Sequence, residues 1–211
     1  MGNRAVITTK YNFENNGVGI YLHWNGGRDS VEAFLKYMEL RGFRSPDVDC
    51  YGWARLCQVI GNYFGGTLSV GIDVINRLDC DNWDNGTYII EGWKIVGREF
   101  FDGAEQKSYD LVEMMKDIDE KQPSHDQLGK EFLDAGLVNK EELRIGDIVF
   151  DYDNVFEEYR KYQVMGIGNG TINGEDVTGI PYVADVGTEE TYDRYISNYL
   201  KNKQYRVCRK Y

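Results

Sequence analysis

Ala5-Val6-Ile7-Thr8-Thr9 and Val18-Gly19-Ile20-Tyr21-Leu22, set on either side of Asn15-Asn16-Gly17, decide how this chain begins to fold. Both runs are rich in β-branched residues and read with a period of two. Asn-Gly supplies the positive φ angles that tight hairpin turns demand. Residues 4–24 are therefore expected to form a β-hairpin.

Beyond it the period changes. A loop, His23-Trp24-Asn25-Gly26-Gly27-Arg28, leads to Asp29 and Glu32 at capping-box spacing. Val31, Phe34, Leu35 and Met38 share one helix face, and Gly42 suits its stop. Ser45-Pro46 opens a second helical region, with Trp53, Leu56, Cys57, Ile60 and Phe64 on its stripe and Gly65-Gly66 at its end. Leu68–Ile72, Thr87–Ile90 and Trp93–Phe101 read as strands, the last two joined at Glu91-Gly92. This order favours an α+β fold over βαβ repeats: an N-terminal antiparallel sheet with two covering helices, in residues 1–105.

Residues 106–140 read as an acidic helical segment. Leu111, Met114, Met115 and Ile118 form a stripe, Pro123 breaks it, and Ser124 with Gln127 suggests a second capping box before Leu128, Phe132 and Leu133. Residues 141–211 read as a β-rich unit. Arg144–Phe150 has the turn-then-strand form that opens small SH3-like barrels. Strands are expected at Tyr159–Ile167 and Val177–Val183, with turns at Asn169-Gly170 and Asn173-Gly174. A terminal helix is expected from Thr188, along Tyr192, Tyr195, Ile196 and Tyr199.

The net charge is −11, unevenly spread. Residues 1–101 hold 10 Lys/Arg and 12 Asp/Glu, whereas residues 102–160 hold 7 and 17. Phosphate binding needs a cationic footprint, so no direct nucleic-acid partner is expected. Glu105, Asp110, Glu113, Asp117, Glu120, Asp126, Glu131 and Glu141 fall largely off the apolar stripes. They are candidates for contact with a basic protein. No apolar run has the length of a membrane span, and Met1–Thr9 lacks the apolar stretch of a signal peptide. A cytoplasmic protein without membrane partners is expected. Cys50, Cys57, Cys80 and Cys208 have no metal-type spacing and read as free thiols, Cys57 as a small core residue.

No P-loop, dinucleotide fingerprint, G-x-S-x-G or H-E-x-x-H pattern occurs. Three weaker constellations remain. Trp24, Asn25, Gly26, Gly27 and Arg28 precede a helix, where backbone N–H groups and a guanidinium could hold an anion while Trp24 stacks on a base. Asp79–Gly86 is rich in oxygen ligands. Counted from Asp81, however, Trp83 falls at the third EF-hand position and Gly92 at the twelfth, so turn formation accounts for it better than a metal. His23 or Asp79–Asp84 could anchor an unfamiliar catalytic centre. No cofactor or metal is expected.

Gly19–Ser30, Tyr51–Leu56 and Asp79–Gly86 together resemble a group of uncharacterised proteins from phages and integrated mobile elements of Gram-positive bacteria, over about the first 105 residues. That resemblance implies a bacterial host cytoplasm and an accessory role against host defence. Joined to the acidic middle, it leads to the expectation of a non-enzymatic inhibitor binding a basic groove on a defence nuclease, such as a CRISPR effector or a restriction enzyme. A small-ligand or nucleotide-signal binder at Trp24–Asp29, an enzyme at His23 or Asp79–Asp84, and an assembly protein are the alternatives.

Overall fold

β1 (Ala5–Thr9) is buried at every one of its residues, so both of its faces are covered. The computed structural model, which describes residues 2–66, 68–153, 158–172, 175–186, 194–195 and 204–209, explains why. The fold is α+β and divides into two compact units, Met1–Gln127 and Leu128–Tyr211. In the first, β1 is joined by β2 (Val18–Leu22), β3 (Val70–Val74), β4 (Thr87–Glu91) and β5 (Lys94–Glu99) in the spatial order β3-β2-β1-β4-β5.

The expected antiparallel pairing holds between β1 and β2, with Ile7 opposite Ile20. Between β1 and β4 the pairing is parallel, so the sheet is mixed and not antiparallel throughout. The reason lies in chain order. β3 is the edge beyond β2, and the next strand joins on the opposite side of β1. The chain must therefore cross the sheet, and residues 75–86 do so. Twelve residues is about the minimum for such a crossover. The path is close to the sheet: a Cβ on Gly19 would come within 2.8 Å of Leu78 and 2.9 Å of Ile75.

Laterally paired residues share a face. Gly19, Val6 and Thr8 lie on the crossover face, while Ile7, Ile20 and Tyr88 lie on the other. The Tyr88 hydroxyl donates to Gly26 O at 3.0 Å, at the entrance of α2 (Arg28–Leu40), so the helices cover this second face. The stripe read on α2, Val31, Phe34, Leu35 and Met38, is buried; on α3 (Cys50–Phe64) Trp53, Leu56 and Ile60 are buried while Cys57 and Phe64 are half-buried. Full burial of such a side chain stabilises by about 1.5–3 kcal/mol.

Several local expectations shift. The turn between β1 and β2 contains one helical turn, α1 (Lys10–Glu14), because the Thr9 hydroxyl accepts from Asn12 N and caps it. Asp29 is not the cap of α2; Gly27 is, and the Asp29 carboxylate instead accepts from Ser30 N at 2.8 Å. α3 starts after Asp49, whose side chain accepts from Tyr51 N. The acidic segment is shared between the units. α4 (Leu111–Glu120) packs on α2 in the first. Buried Asp119 accepts from the Tyr37 hydroxyl at 2.8 Å, and buried Gln122 donates to Val59 O and Ile118 O. Burial and the Asp119 charge push the Tyr37 hydroxyl well above its ordinary range, which keeps it a proton donor.

The second unit begins with α5 (Lys130–Asp134). Gly129, at φ 85°, precedes it in place of the expected Ser124 cap, and Ser124–Asp126 is a single 3₁₀ turn. Its strands are β6 (Gly136–Asn139), β7 (Ile148–Asp153), β8 (Glu158–Ile172), β9 (Glu175–Asp185), β10 (Arg194–Tyr195) and β11 (Gln204–Cys208), in the order β10-β9-β8-β7-β11-β6. Among the described residues no pairing joins β10 to β6, and the expected SH3-like barrel is not confirmed. The core is Leu143, Val149, Val164, Val183, Tyr205 and Val207. Asn169-Gly170 is not a turn: β8 runs through it with a register shift beside Gly168. Tyr195 lies in a strand, paired with Tyr182, where the terminal helix was expected. The rest of that helix, and the Asn173-Gly174 turn, lie outside the described residues. Among the described residues no helix is long and apolar enough to cross a membrane.

The crossover rejoins the sheet at Gly86, where φ is +64° and a Cβ would meet Glu99 O at 2.2 Å and Phe100 O at 2.5 Å. Gly92 has the same left-handed backbone, φ +59°, with open space around it. Gly92→Ala should therefore cost about 1 kcal/mol and Gly86→Ala about 3 kcal/mol or more. Thermal melts of the two variants check this; equal melting temperatures would show that the close approach at Gly86 is not a constraint.

Candidate functional site

The Asp79–Gly86 loop is organised by one buried amide. Asn82 is 0% exposed. Its Oδ1 accepts from the backbone N–H groups of Asp84, Asn85 and Gly86, and its Nδ2 donates to Asp79 O and Gly86 O. The amide is thus saturated by the loop's own backbone. Two of its three acidic residues, Asp79 and Asp84, are engaged as well. Arg4 Nε donates to Asp84 Oδ2 at 2.7 Å, the Arg4 backbone N–H reaches the same oxygen at 3.2 Å, and Asp79 lies 3.8 Å from the Arg4 guanidinium. This loop closes the crossover. Among the described residues no group of three or more His, Cys, Asp or Glu is placed to hold a metal ion.

The Trp24–Arg28 loop is likewise built into the fold. Gly26 is buried, and a Cβ there would come within 2.6 Å of the Arg4 backbone. Asn25, at φ 53°, directs its amide toward Ser30 Oγ and the Tyr63 hydroxyl, both at 3.4 Å. Arg28 Nε donates to Glu32 at 3.1 Å, and its guanidinium lies 3.7 Å from Glu105. The charge proposed for a ligand phosphate is therefore matched by two carboxylates. Trp24 is 43% exposed and meets His23 edge-on at 5.1 Å. The His23 ring lies 3.3 Å from the Tyr21 hydroxyl on the exposed surface.

The eight acidic candidates separate into three kinds. Glu105 accepts from Arg98 at 2.9 Å, and Asp126 lies 3.4 Å from Arg41, so both neutralise arginines of the first unit. Glu131 and Glu141 belong to the second unit, where Glu131 pairs with Lys161 at 2.7 Å. Asp110, Glu113, Asp117 and Glu120 lie on α4 or at its cap, all exposed. Asp110 caps the helix by accepting from Glu113 N at 3.0 Å, and Glu113 also pairs with Lys116. Their spacing of three, four and three residues places the four on one helix face, opposite buried Met115 and Ile118. This ridge is the candidate site.

Arg4, Arg41 and Arg98 are the residues that sequence reasoning did not connect to the site. Arg4 and Arg41 neutralise carboxylates 80 and 85 residues away, and Arg98 one that lies seven residues on, beyond the end of its strand. Cys57 carries no nucleophilic signature, since burial raises its thiol pKa. No family model, curated protein or solved structure matches the chain.

The hydrogen bond from Arg4 holds the Asp84 carboxyl below its ordinary range, against the opposing effect of burial. Its folded value thus lies under the unfolded one of ~3.9. The ionised pair stabilises the fold at neutral pH, and that contribution is lost as pH falls below about 4 and through the lowered folded value. Asp84→Asn should melt several degrees below the parent at neutral pH, with the gap closing toward ~pH 2. A gap that stays constant across a pH series of melts would show that the charge is not its source.

Proposed function

We propose that this protein is a binding protein, not an enzyme, and that the acidic ridge of α4 occupies the cationic groove of a nucleic-acid-cutting enzyme of the host cell. The observation that carries this reading is the exposed file Asp110, Glu113, Asp117 and Glu120. With a rise of ~1.5 Å per residue, successive carboxylates are about 5 Å apart along the axis and the file extends about 15 Å. One DNA strand carries a charge every ~3.4 Å. The ridge therefore presents negative charge at a comparable linear density, on a rigid helix, without the flexibility that a disordered acidic tail would have to lose on binding.

Two further features support it. Asp119, on the same helix, is turned inward to Tyr37 and Gln122 lies buried just beyond the helix end, so α4 is anchored while its outer face stays open. The other acidic candidates of the first unit are turned to arginines, Asp126 to Arg41 and Glu105 to Arg98, whereas the four ridge residues all stay exposed along one helix face. The resemblance of the first 105 residues to mobile-element proteins gives the partner class: a defence nuclease, CRISPR effector or restriction enzyme, in a bacterial cytoplasm.

Glu113, Asp117 and Glu120 are the ridge residues that can be reversed without disturbing the helix cap. The triple variant Glu113→Lys, Asp117→Lys, Glu120→Lys should stay folded. An exposed pair is worth up to about 1 kcal/mol, so three together should weaken capture by ~100-fold. The parent should inhibit plasmid cleavage by at least one of a restriction endonuclease and a CRISPR effector, with inhibition falling as salt is raised. Equal inhibition by parent and variant, or no inhibition of either enzyme, would overturn the assignment.

A further inference from the structure

A cavity of about 170 Å³ lies within the first unit, lined by Tyr37 and Arg41 of α2, Phe43, Arg55, Gln58 and Val59 of α3, and the Gln122 and Asp126 side chains. It has room for roughly five waters at ~30 Å³ each, the size of one small oxyanion with its solvent. Two of its walls are guanidinium groups on a single aromatic ring. Arg55 lies 4.6 Å from the Phe43 centroid and Arg41 lies 5.3 Å from it. The two cations are thus within about 10 Å of each other, the scale of the Debye length at 0.1 M salt.

We propose that this cavity is an oxyanion-binding site that takes one phosphate or carboxylate group between Arg41 and Arg55. The donor inventory supports it. A guanidinium carries five N–H donors. The Arg41 side chain is only 14% exposed, yet among the described residues it has a single polar partner, Asp126 Oδ1 at 3.4 Å. Arg55 has no ion pair or hydrogen bond among the described residues, only the ring of Phe43. Gln58, three residues along the same face of α3, also makes no hydrogen bond among the described residues. Among the described residues no buried side-chain nitrogen or oxygen lacks a partner, so these unused donors face solvent and are open to a ligand, while two like charges on one ring repel each other. An oxyanion bridging them offsets that repulsion, and fork-shaped guanidinium groups suit carboxylate and phosphate oxygens.

The rest of the lining limits which groups take part. The Gln122 amide is spent on Val59 O, Ile118 O and Asn62, and the Tyr37 proton on Asp119 and Asp126 O. Neither donates to the ligand. The Asp119 and Asp126 carboxylates, on Tyr37 and Arg41, are nearby negative charges that oppose an anion and weaken its binding. Asp126 Oδ2 lies 3.5 Å from His125 Nε2, on the side away from its contact with Arg41. The site is independent of the α4 ridge, so each can fail without the other.

The test uses the full chain at constant ionic strength, with inorganic phosphate and with acetate, each against a chloride control. At tens of millimolar, phosphate or acetate should raise the melting temperature by a few degrees, and the ³¹P line of inorganic phosphate should broaden on adding protein if phosphate is the group bound. Arg55→Gln, an exposed change that leaves the core intact, should abolish the shift and the broadening. A shift with phosphate alone, or with acetate alone, supports the site and names its ligand. The absence of any shift beyond chloride with both anions, or the same shift in Arg55→Gln, overturns it.

Discussion

The first unit depends on one constraint: β4 lies parallel beside β1, so residues 75–86 must cross a face of the sheet that would otherwise be open. Everything placed along that path serves the crossing. Gly19 lets Ile75 and Leu78 lie close to the strand beneath them. Asn82 ties the loop to itself, Arg4 fastens Asp84 to the start of β1, and Gly86 admits the chain beneath Glu99 and Phe100. The residues that looked most chemical in sequence, the Asp and Asn of this loop, are thereby the fastenings of a connection.

What was legible in the sequence was what a local window contains. The period of Val31, Phe34, Leu35 and Met38 gives a helix because the buried face of α2 is set by its own spacing, and the same holds for Leu111, Met115 and Ile118. Strand order is not local. Nothing in Thr87–Glu91 says that it pairs with a segment some 80 residues earlier and in the same direction, so the sheet was expected to be antiparallel. Asn169-Gly170 has turn chemistry, but the long ladder with β9, which runs on to Ile172, overrides it.

The candidate site was readable in the same proportion. Helical spacing correctly set Asp110, Glu113, Asp117 and Glu120 off the apolar stripe of α4. It could not tell these from Glu105 and Asp126, because their arginine partners lie elsewhere in the chain. Charge counted along a sequence overstates the charge that a surface offers, since ion pairs formed by folding remove part of it. In the first unit the difference is carried by Arg28, Arg41 and Arg98. The same bookkeeping isolates Arg55, a cation for which the described residues supply no carboxylate.

The parallel pairing also has a consequence for how the chain is made. β1 is made some 80 residues before β4, so its second neighbour does not exist until residue 91 has been added. At ~5–20 residues per second, the completed β1–β2 pair waits about 3–14 s with that strand edge unpaired. During that interval a hairpin of Ile, Val and Tyr is open to pairing with other nascent chains. A single polysome carrying many copies would be where this protein is most exposed to misassembly, and the arrival of β4 would be the moment at which the risk ends.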